Sequence, residues 1–555
     1  MPKGRNWIDV TTMGDLVDRR AEAHPDRDAV IFPDARVTYR ELADRSDDVA
    51  RGLLALGVES GDRVGYFLPD GVDCAAILLG AAKVGAIAVP VNARLKPREV
   101  LHVVTHSGMK VLFSATTSAG TNLIGVIQEA LAGLASGTPG DLALADAPEL
   151  RAVVALDDTA TPGTLGRAGF ARQAAGVDPA DVDRAQAAVR VRDTAVIVYT
   201  SGTTATPKGA MLSHEAFCRL AEGCMRHLWG LGEGEKMWMP LPMFHIGGIG
   251  FLFGCLYLSA ALVHSGHFDP GVALAQLRDE ECVFAFPGFE TIWLPILNHP
   301  DRTDADLSTL RAVWCIGVEE RLRQIQDATP HAVLLSGFGM TESCANLTSA
   351  HPTDTLDQRI KTGGLPLPGM ECEVHDPETG ELLPPGSTGE LWFRGPSAFD
   401  GYFRDPEANE QSFDRRGFFK SGDIMRMDPD GRLTFVSRVK DMIKVGGENV
   451  AAAELEGYLL THPAVHSVQV VAAPDAKYVE VPAAFIQLKP EASATEQEII
   501  DFCRGQIASF RVPRYVRFVT EWPMSATKIK KITLREMIAQ ELADAGITEA
   551  PRISS

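Results

Sequence analysis

Between residues 28 and 91, short apolar runs alternate with segments whose apolar residues recur at helical spacing. Residues 28–32, 62–68 and 87–91 read as strands, and residues 38–57 and 74–85 as helices. That alternation implies an α/β architecture with largely parallel strand pairing. Residues 115–190 are rich in Ala, Gly, Asp and Thr and weakly periodic, and read as surface helices and loops leading to a strand at 194–199. From about residue 370 short strands and turn signals follow one another, as in a small β-rich subdomain. From about 441, helices at 454–460 and 495–508 mix with strands at 466–473 and 482–488, enough for a further domain of about 110 residues.

Composition narrows the class. The chain has 555 residues, 45% apolar and 23% charged, which excludes a disordered, collagen-like or disulfide-dense protein. Its nine cysteines are scattered, form no CxxC pair and are odd in number. A zinc ribbon or a secreted disulfide framework is therefore not expected, and a reducing cytoplasm is. The formal net charge of −20 disfavours nucleic acid and anionic membrane as partners. A local cradle can still outweigh that field for an anionic substrate. No apolar run follows the positive charges of MPKGRNWIDV, so no signal peptide is expected. Residues 246–263 lack formal charge but hold four glycines. They read as a buried αβ element, and no membrane span is expected.

The strongest chemical signal is Tyr199-Thr-Ser-Gly-Thr-Thr-Ala-Thr-Pro-Lys-Gly209, which directly follows the apolar strand. Small residues let backbone N–H groups approach phosphate oxygens, the hydroxyls of Ser201, Thr203 and Thr204 add donors, and Lys208 adds charge. An isolated SGTT is as easily a polar strand-to-helix loop. The segment does not fit G-x-x-x-x-G-K-[ST], so it is not a P-loop NTPase fingerprint.

YTSGTTATPKG resembles the phosphate loop of the acyl-adenylate-forming superfamily, which includes acyl-CoA synthetases, peptide-synthetase adenylation domains and firefly-type luciferases. Further motifs follow in the same order. Leu241-Pro-Met-Phe-His-Ile-Gly247 resembles the family's substrate gate, and Gly337-Phe-Gly-Met-Thr-Glu342 its adenine and magnesium motif. Lys420-Ser-Gly-Asp423 resembles the ribose motif, residues 437–449 the hinge, and Ser525-Ala-Thr-Lys-Ile-Lys-Lys531 the catalytic-lysine motif. Nearly the whole chain is covered.

The resemblance implies a large multi-subdomain α/β N-terminal domain, 1–439, and a small mobile α+β C-terminal domain, 440–555, pivoting near Lys440. It implies an ATP-dependent acyl-CoA synthetase: carboxylate and ATP give acyl-AMP and pyrophosphate, then CoA takes the acyl group. The phosphates would lie on Thr200, Ser201, Gly202, Thr203, Thr204 and Lys208, with Gly317, Gly337, Gly339 and Arg438 also at the nucleotide. Phe338 would stack on adenine, unless it is a core Phe. Asp423 would accept the ribose hydroxyls, as an ionised carboxylate can. Glu342 would hold Mg²⁺, a hard cation that takes oxygen ligands, and Thr341 would touch the α-phosphate. Lys528 would bridge the two reacting anions, and His245 would lie beside the acyl carboxylate. Gly446 and Gly447 would meet CoA. Phe244, His245, Phe289, Trp293 and Gly337 would line the pocket of an apolar acid.

Four departures from the family pattern stand out. Ala205, Thr527 and Val479 replace glycines, each adding a Cβ that penalises φ > 0. Val318-Glu319-Glu320-Arg321 follows Gly317 where small residues are usual, and its acids would repel phosphates unless Arg321 or Arg323 pairs with them. A ligase specialised for the thioester half-reaction, or a non-catalytic adenylate binder, is the alternative reading. CoA against a carrier protein as acceptor, the identity of the acid, and a homodimer all stay open.

Overall fold

The computed structural model describes residues 9–157, 161–200, 207–445, 448–507, 509–524 and 529–551. The chain divides into two compact units. The first comprises residues 1–372 and 393–419, the second residues 373–392 and 420–555.

The first unit holds two seven-stranded sheets. One runs in the order Val333–Leu335, Ala312–Ile316, Phe284–Phe289, Lys236–Trp238, Ala261–Val263, Asp28–Ile31, Arg36–Thr38. The other runs Lys208–Ser213, Thr194–Thr200, Ile87–Pro90, Arg63–Phe67, Val111–Ser114, Ala152–Ala155, Leu165–Gly166. Pairing is parallel throughout except at one edge of each, where Asp28–Ile31 meets Arg36–Thr38 and Thr194–Thr200 meets Lys208–Ser213. Strands Ile87–Pro90, Val111–Ser114 and Ala152–Ala155 are buried at every position, as central parallel strands covered on both faces must be. The last of these lies within the stretch expected to be surface helices and loops. An Ala-Val-Val-Ala run is too short and too mild to stand out there, and burial rather than periodicity makes it a strand.

Helix Tyr39–Ala55 starts where a capping box predicts. Glu41 N–H donates to Thr38 Oγ1 at 3.2 Å, and Thr38 N–H donates to the Glu41 carboxylate at 2.8 Å. Helix Val72–Lys83 is buried on all sides. It ends on Lys83, whose buried ammonium meets Asp18 at 2.5 Å and also Asp47. The charge-free stretch 246–263 forms helix Ile246–Leu258 and strand Ala261–Val263, both buried. Among the described residues no helix is long and apolar enough to cross a membrane.

The second unit contains most of a four-stranded sheet whose last two strands, Phe419–Met427 and Leu433–Arg438, are antiparallel. It also contains a five-stranded sheet built on the long pair Val465–Asp475 and Val479–Leu488. Alternation along that pair sends side chains to opposite faces. Val468, Val470, Ala484 and Ile486 pack with helices Ala452–Leu460 and Glu496–Cys503, whereas Val471, Ala473, Ala483 and Phe485 pack with helix Lys531–Asp544. The helix expected at 495–508 is thus shorter, because Gly505 turns the chain at φ +69°. Val479 does adopt the left-handed conformation that a glycine would occupy without strain, at φ +72°.

Candidate active site

The phosphate-loop motif spans an antiparallel hairpin in which Tyr199 pairs with Gly209 and Thr200 with Lys208. Ser201, Gly202, Thr203, Thr204 and Ala205 lie outside the described residues. Both stems are gripped by helix Pro97–Ser107. His106 Nδ1 shares a hydrogen bond with the Tyr199 hydroxyl at 2.8 Å, and His102 Nε2–H donates to the Pro207 carbonyl at 3.1 Å. Burial, reinforced by His102 and Arg404, pushes the His106 pKa down, which keeps the ring neutral. Neither histidine carries a motif signal in the sequence.

Gly337-Phe-Gly-Met-Thr-Glu342 forms a short strand and a tight turn. Gly337 and Phe338 pair with Ser349 and Thr348. A Cβ on Gly337 would lie 2.5 Å from the Thr348 carbonyl oxygen, and one on Gly339 would fall on the Ala345 carbonyl. These glycines are required by the protein's own backbone. Cys344 and Ala345 close the turn with φ of +54° and +77°. The result places Glu342 in a single 3₁₀ turn with Thr341, 6% exposed. The Tyr402 hydroxyl donates to the Glu342 carboxylate at 2.8 Å, and the Glu342 carbonyl accepts the Phe399 N–H at 2.9 Å. Lys208 Nζ stands 5.2 Å from the centre of the same Tyr402 ring. Phe338 is half-buried, with its N–H on Thr348 Oγ1.

The gate segment is fixed from two sides. Met243 N–H donates to Asp70 at 2.6 Å, the Tyr66 hydroxyl donates to the Met243 carbonyl at 2.7 Å, and His264 meets the Leu241 carbonyl at 3.0 Å. Burial pushes the Asp70 pKa up. His245 then caps helix Ile246–Leu258, its ring 4.7 Å from that of buried Phe244. The helix glycines do not open a pocket. A Cβ on Gly248 would meet the Pro242 carbonyl, and one on Gly254 the Met225 sulfur.

Strands Phe284–Phe289 and Ala312–Ile316 present different residues on their two faces. On one face Trp229, Phe251, Phe284, Phe286 and Trp314 stack, with Phe286 and Trp314 centroids 4.4 Å apart. Gly337 lies against this group, since its Cβ would be 2.9 Å from Trp314. Trp293 belongs to the other face. It is fully buried against Trp238, at 6.0 Å, in a core with Ala285 and Val313. The pocket expectation at Trp293 thus meets a packed core instead, because the residue falls on the opposite side of the sheet from Phe286 and Trp314. Phe289, at the strand end, is exposed.

At Gly317 the place of a side chain is taken by the Glu290 carboxylate, which accepts the Val318 N–H at 2.8 Å and faces Arg321 at 3.4 Å. Burial pushes the Glu290 pKa up, against the pull of Arg321. Glu319 meets Arg323 at 2.9 Å and Lys361 at 3.6 Å. Arg323 thus pairs with Glu319 as the repulsion argument required, whereas Arg321 faces Glu290, so the repulsion expected from Val318-Glu319-Glu320 is lowered at Glu319.

In the second unit Asp423 is 5% exposed and directly opposite Arg438 in the ladder, with 3.4 Å between carboxylate and Nε. Its N–H donates to Ser421 Oγ at 3.1 Å. Gly422 precedes it at φ +72° and donates its N–H to Glu390 at 3.0 Å. Lys440 lies in the short turn Val439–Asp441. Gly446, Gly447, Thr527 and Lys528 lie outside the described residues.

Among the described residues no three His, Cys, Asp or Glu side chains cluster to hold a metal. A single buried carboxylate, Glu342, fits a magnesium ion that takes its remaining oxygens from nucleotide phosphates and water.

Residues 17–403 match the family described as AMP-binding enzyme, and residues 454–528 its C-terminal domain. The chain is 33% identical over 560 residues to the mitochondrial medium-chain acyl-CoA ligase ACSF2 of Homo sapiens, covering 97% of this chain and 89% of that protein. It is similar in structure to ATP-bound MatB from Rhodopseudomonas palustris, with a TM-score of 0.81, 26% identity, and coverage of 96% and 100%. It is also similar to the anthranilate CoA ligase AuaEII in complex with anthranoyl-AMP, with a TM-score of 0.82, 26% identity, and coverage of 96% and 98%.

Proposed function

The chain belongs to the AMP-binding enzyme family, within the acyl-adenylate-forming superfamily, and is an AMP-forming acyl-CoA ligase; we propose that its acid is apolar and that the motif residues carry the family's roles. The observation behind the substrate proposal is the aromatic group of Phe251, Phe286 and Trp314. It backs Gly337 and the helix that His245 caps. An acyl site opening beside this apolar group would favour a ring or alkyl group over a charged one, because a second carboxylate buried there would have to give up its water.

In this reading the substrate carboxylate attacks the α-phosphorus of ATP, the bond to pyrophosphate breaks, and acyl-AMP results. The thiolate of CoA then attacks the acyl carbon and AMP leaves. Both steps gather negative charge, so cations and N–H donors set in place beforehand lower the barrier. Lys208, with the hydroxyls of Thr200, Ser201, Thr203 and Thr204 and the backbone of Gly202, receives the β- and γ-phosphates. Glu342 would hold Mg²⁺, which when bound would supply positive charge at the phosphate oxygens. Thr341 touches the α-phosphate, Phe338 stacks on adenine, and Asp423 accepts the ribose hydroxyls. Gly317, Gly337, Gly339 and Arg438 complete the nucleotide site. Lys528 bridges carboxylate and α-phosphate, His245 lies beside the acyl group, and Gly446 and Gly447 meet CoA. Lys440 is the pivot between half-reactions, separating domains 1–439 and 440–555. The protein works on small molecules in the cytoplasm.

The test is a panel of benzoate, octanoate and malonate, each supplied with ATP, Mg²⁺ and CoA and read by mass spectrometry. Thioester and AMP should form from benzoate or octanoate and not from malonate. Preference for malonate overturns the apolar pocket. Pyrophosphate exchange without added acyl-AMP distinguishes a complete ligase from one restricted to the thioester step.

A further inference from the structure

We infer that Tyr402 is a positioning residue that sets the Glu342 carboxylate and the Lys208 ammonium with two different parts of one side chain. This rests on the reading of Glu342 as the magnesium ligand and Lys208 as the phosphate contact. The hydroxyl of Tyr402 donates to Glu342 at 2.8 Å, while its ring face stands 5.2 Å from Lys208 Nζ. Both Tyr402 and Glu342 are buried. A neutral phenol orients a carboxylate without itself cancelling the charge that attracts a divalent cation. A ring face likewise attracts an ammonium through its quadrupole without neutralising it.

The segment around Tyr402 is fixed firmly enough for that task. Phe403 N–H donates to the Gly209 carbonyl at 2.8 Å, and Met211 N–H to the Gly401 carbonyl at 3.0 Å. The chain carrying Tyr402 is thereby joined to the strand that leaves the phosphate loop. Asn409 closes the other side, accepting the Tyr402 N–H at 2.7 Å and donating to its carbonyl at 2.9 Å. Phe399, whose N–H meets the Glu342 carbonyl, also packs edge-on against the Tyr402 ring at 5.0 Å. The loop stem and the Glu342 turn are thus tied to one short segment that none of the sequence motifs includes.

Two substitutions separate the two contacts. Tyr402→Phe keeps the ring and removes the donor, and Tyr402→Gln keeps an N–H donor and removes the ring. Binding of ATP is measured by calorimetry in EDTA and across a Mg²⁺ titration. Tyr402→Phe should raise the Mg²⁺ concentration needed for half-maximal enhancement of ATP binding about tenfold, as loss of an outer-shell partner of a metal ligand does. It should leave binding in EDTA and the thermal midpoint unchanged. Tyr402→Gln should weaken binding in EDTA and keep the Mg²⁺ midpoint near that of the unchanged protein. A merely structural role would move both readouts together in both variants, and that result overturns the inference, as does an unchanged Mg²⁺ midpoint in Tyr402→Phe. Should Tyr402→Phe not fold, Tyr402→Gln decides by itself: a tenfold shift of its Mg²⁺ midpoint overturns the inference. Failure of the unchanged protein to bind ATP, with or without Mg²⁺, would instead sink the proposed function.

Discussion

Glu342 and Asp423 are both buried acids, one in each unit, and they are held in opposite ways. Glu342 sits in an irregular turn whose shape is imposed by close backbone packing. Gly339 has no room for a side chain, and two consecutive residues, Cys344 and Ala345, adopt left-handed φ. It meets the hydroxyl of Tyr402. Asp423 sits in a regular antiparallel ladder and faces the guanidinium of Arg438. The glycine before it, Gly422, is left-handed with open space where a side chain would point. The difference bears on chemistry. A neutral hydroxyl orients a carboxylate without itself cancelling the charge. A carboxylate beside a guanidinium is already compensated and suits neutral donors, such as the hydroxyls of a sugar.

The largest expected effect breaks the first arrangement. Gly339→Ala drives a methyl into the Ala345 carbonyl and should cost about 3 kcal/mol or more, at the upper end of overpacking losses, measured by urea unfolding of the full chain. Gly422→Ala should cost only about 1–2 kcal/mol, the penalty of left-handed φ on alanine. Equal losses at the two glycines would remove the distinction between a packed turn and an open one. Next in size is Glu342→Gln, which keeps shape and removes charge. Acyl-AMP formation should fall on the order of 100-fold or more, since several kcal/mol of metal-assisted charge stabilisation is lost. Pyrophosphate exchange measures it, and a loss under about threefold would take Glu342 out of the reaction. Asp423→Ala should be milder. It leaves donors unmet and should weaken AMP binding by about 1–3 kcal/mol. Calorimetry with AMP checks this, and unchanged affinity would separate Asp423 from the nucleotide.

What the sequence made legible follows the same division. Glu342 and Asp423 stand in contiguous motifs, so local spelling points to both. Tyr402 is 60 positions from Glu342, and no local pattern announces a partner at that separation. Strand Ile87–Pro90 is readable because a run of apolar residues buried on both faces has no polar alternative. Ala152–Ala155 is equally buried, yet its alanines resemble the surface stretch around them. The glycines of helix Ile246–Leu258 show a deeper ambiguity. A glycine that admits a ligand and one that admits a neighbouring carbonyl are spelled alike, and only the packing reveals Pro242 and Met225 in those places. Trp293 was readable as an apolar anchor. Its face of the sheet depends on the register by which the chain leaves strand Phe284–Phe289, which composition does not encode.

The smallest effect tests whether strain in the two units is of one kind. Val479 is left-handed at φ +72° and 69% exposed, at the start of strand Val479–Leu488. A β-branched side chain in that region costs about 1–3 kcal/mol, and an exposed one has little packing to offset it. Val479→Gly removes the clash. It also gives the unfolded chain more freedom, worth about 0.4–1 kcal/mol in the other direction. The net expectation is a gain of about 1 kcal/mol, read as a higher urea midpoint with an unchanged slope, and no change in AMP affinity. Ala345→Gly supplies the contrast. Ala345 is also left-handed but is buried against Gly250, whose Cβ would lie 3.5 Å from its methyl. Relief of strain there is opposed by lost packing, so no gain is expected. A stabilisation at Ala345 equal to that at Val479 would mean that the Glu342 turn is strained without being locked. The close approach of Ala345 to Gly339 would then no longer explain why the turn holds its shape.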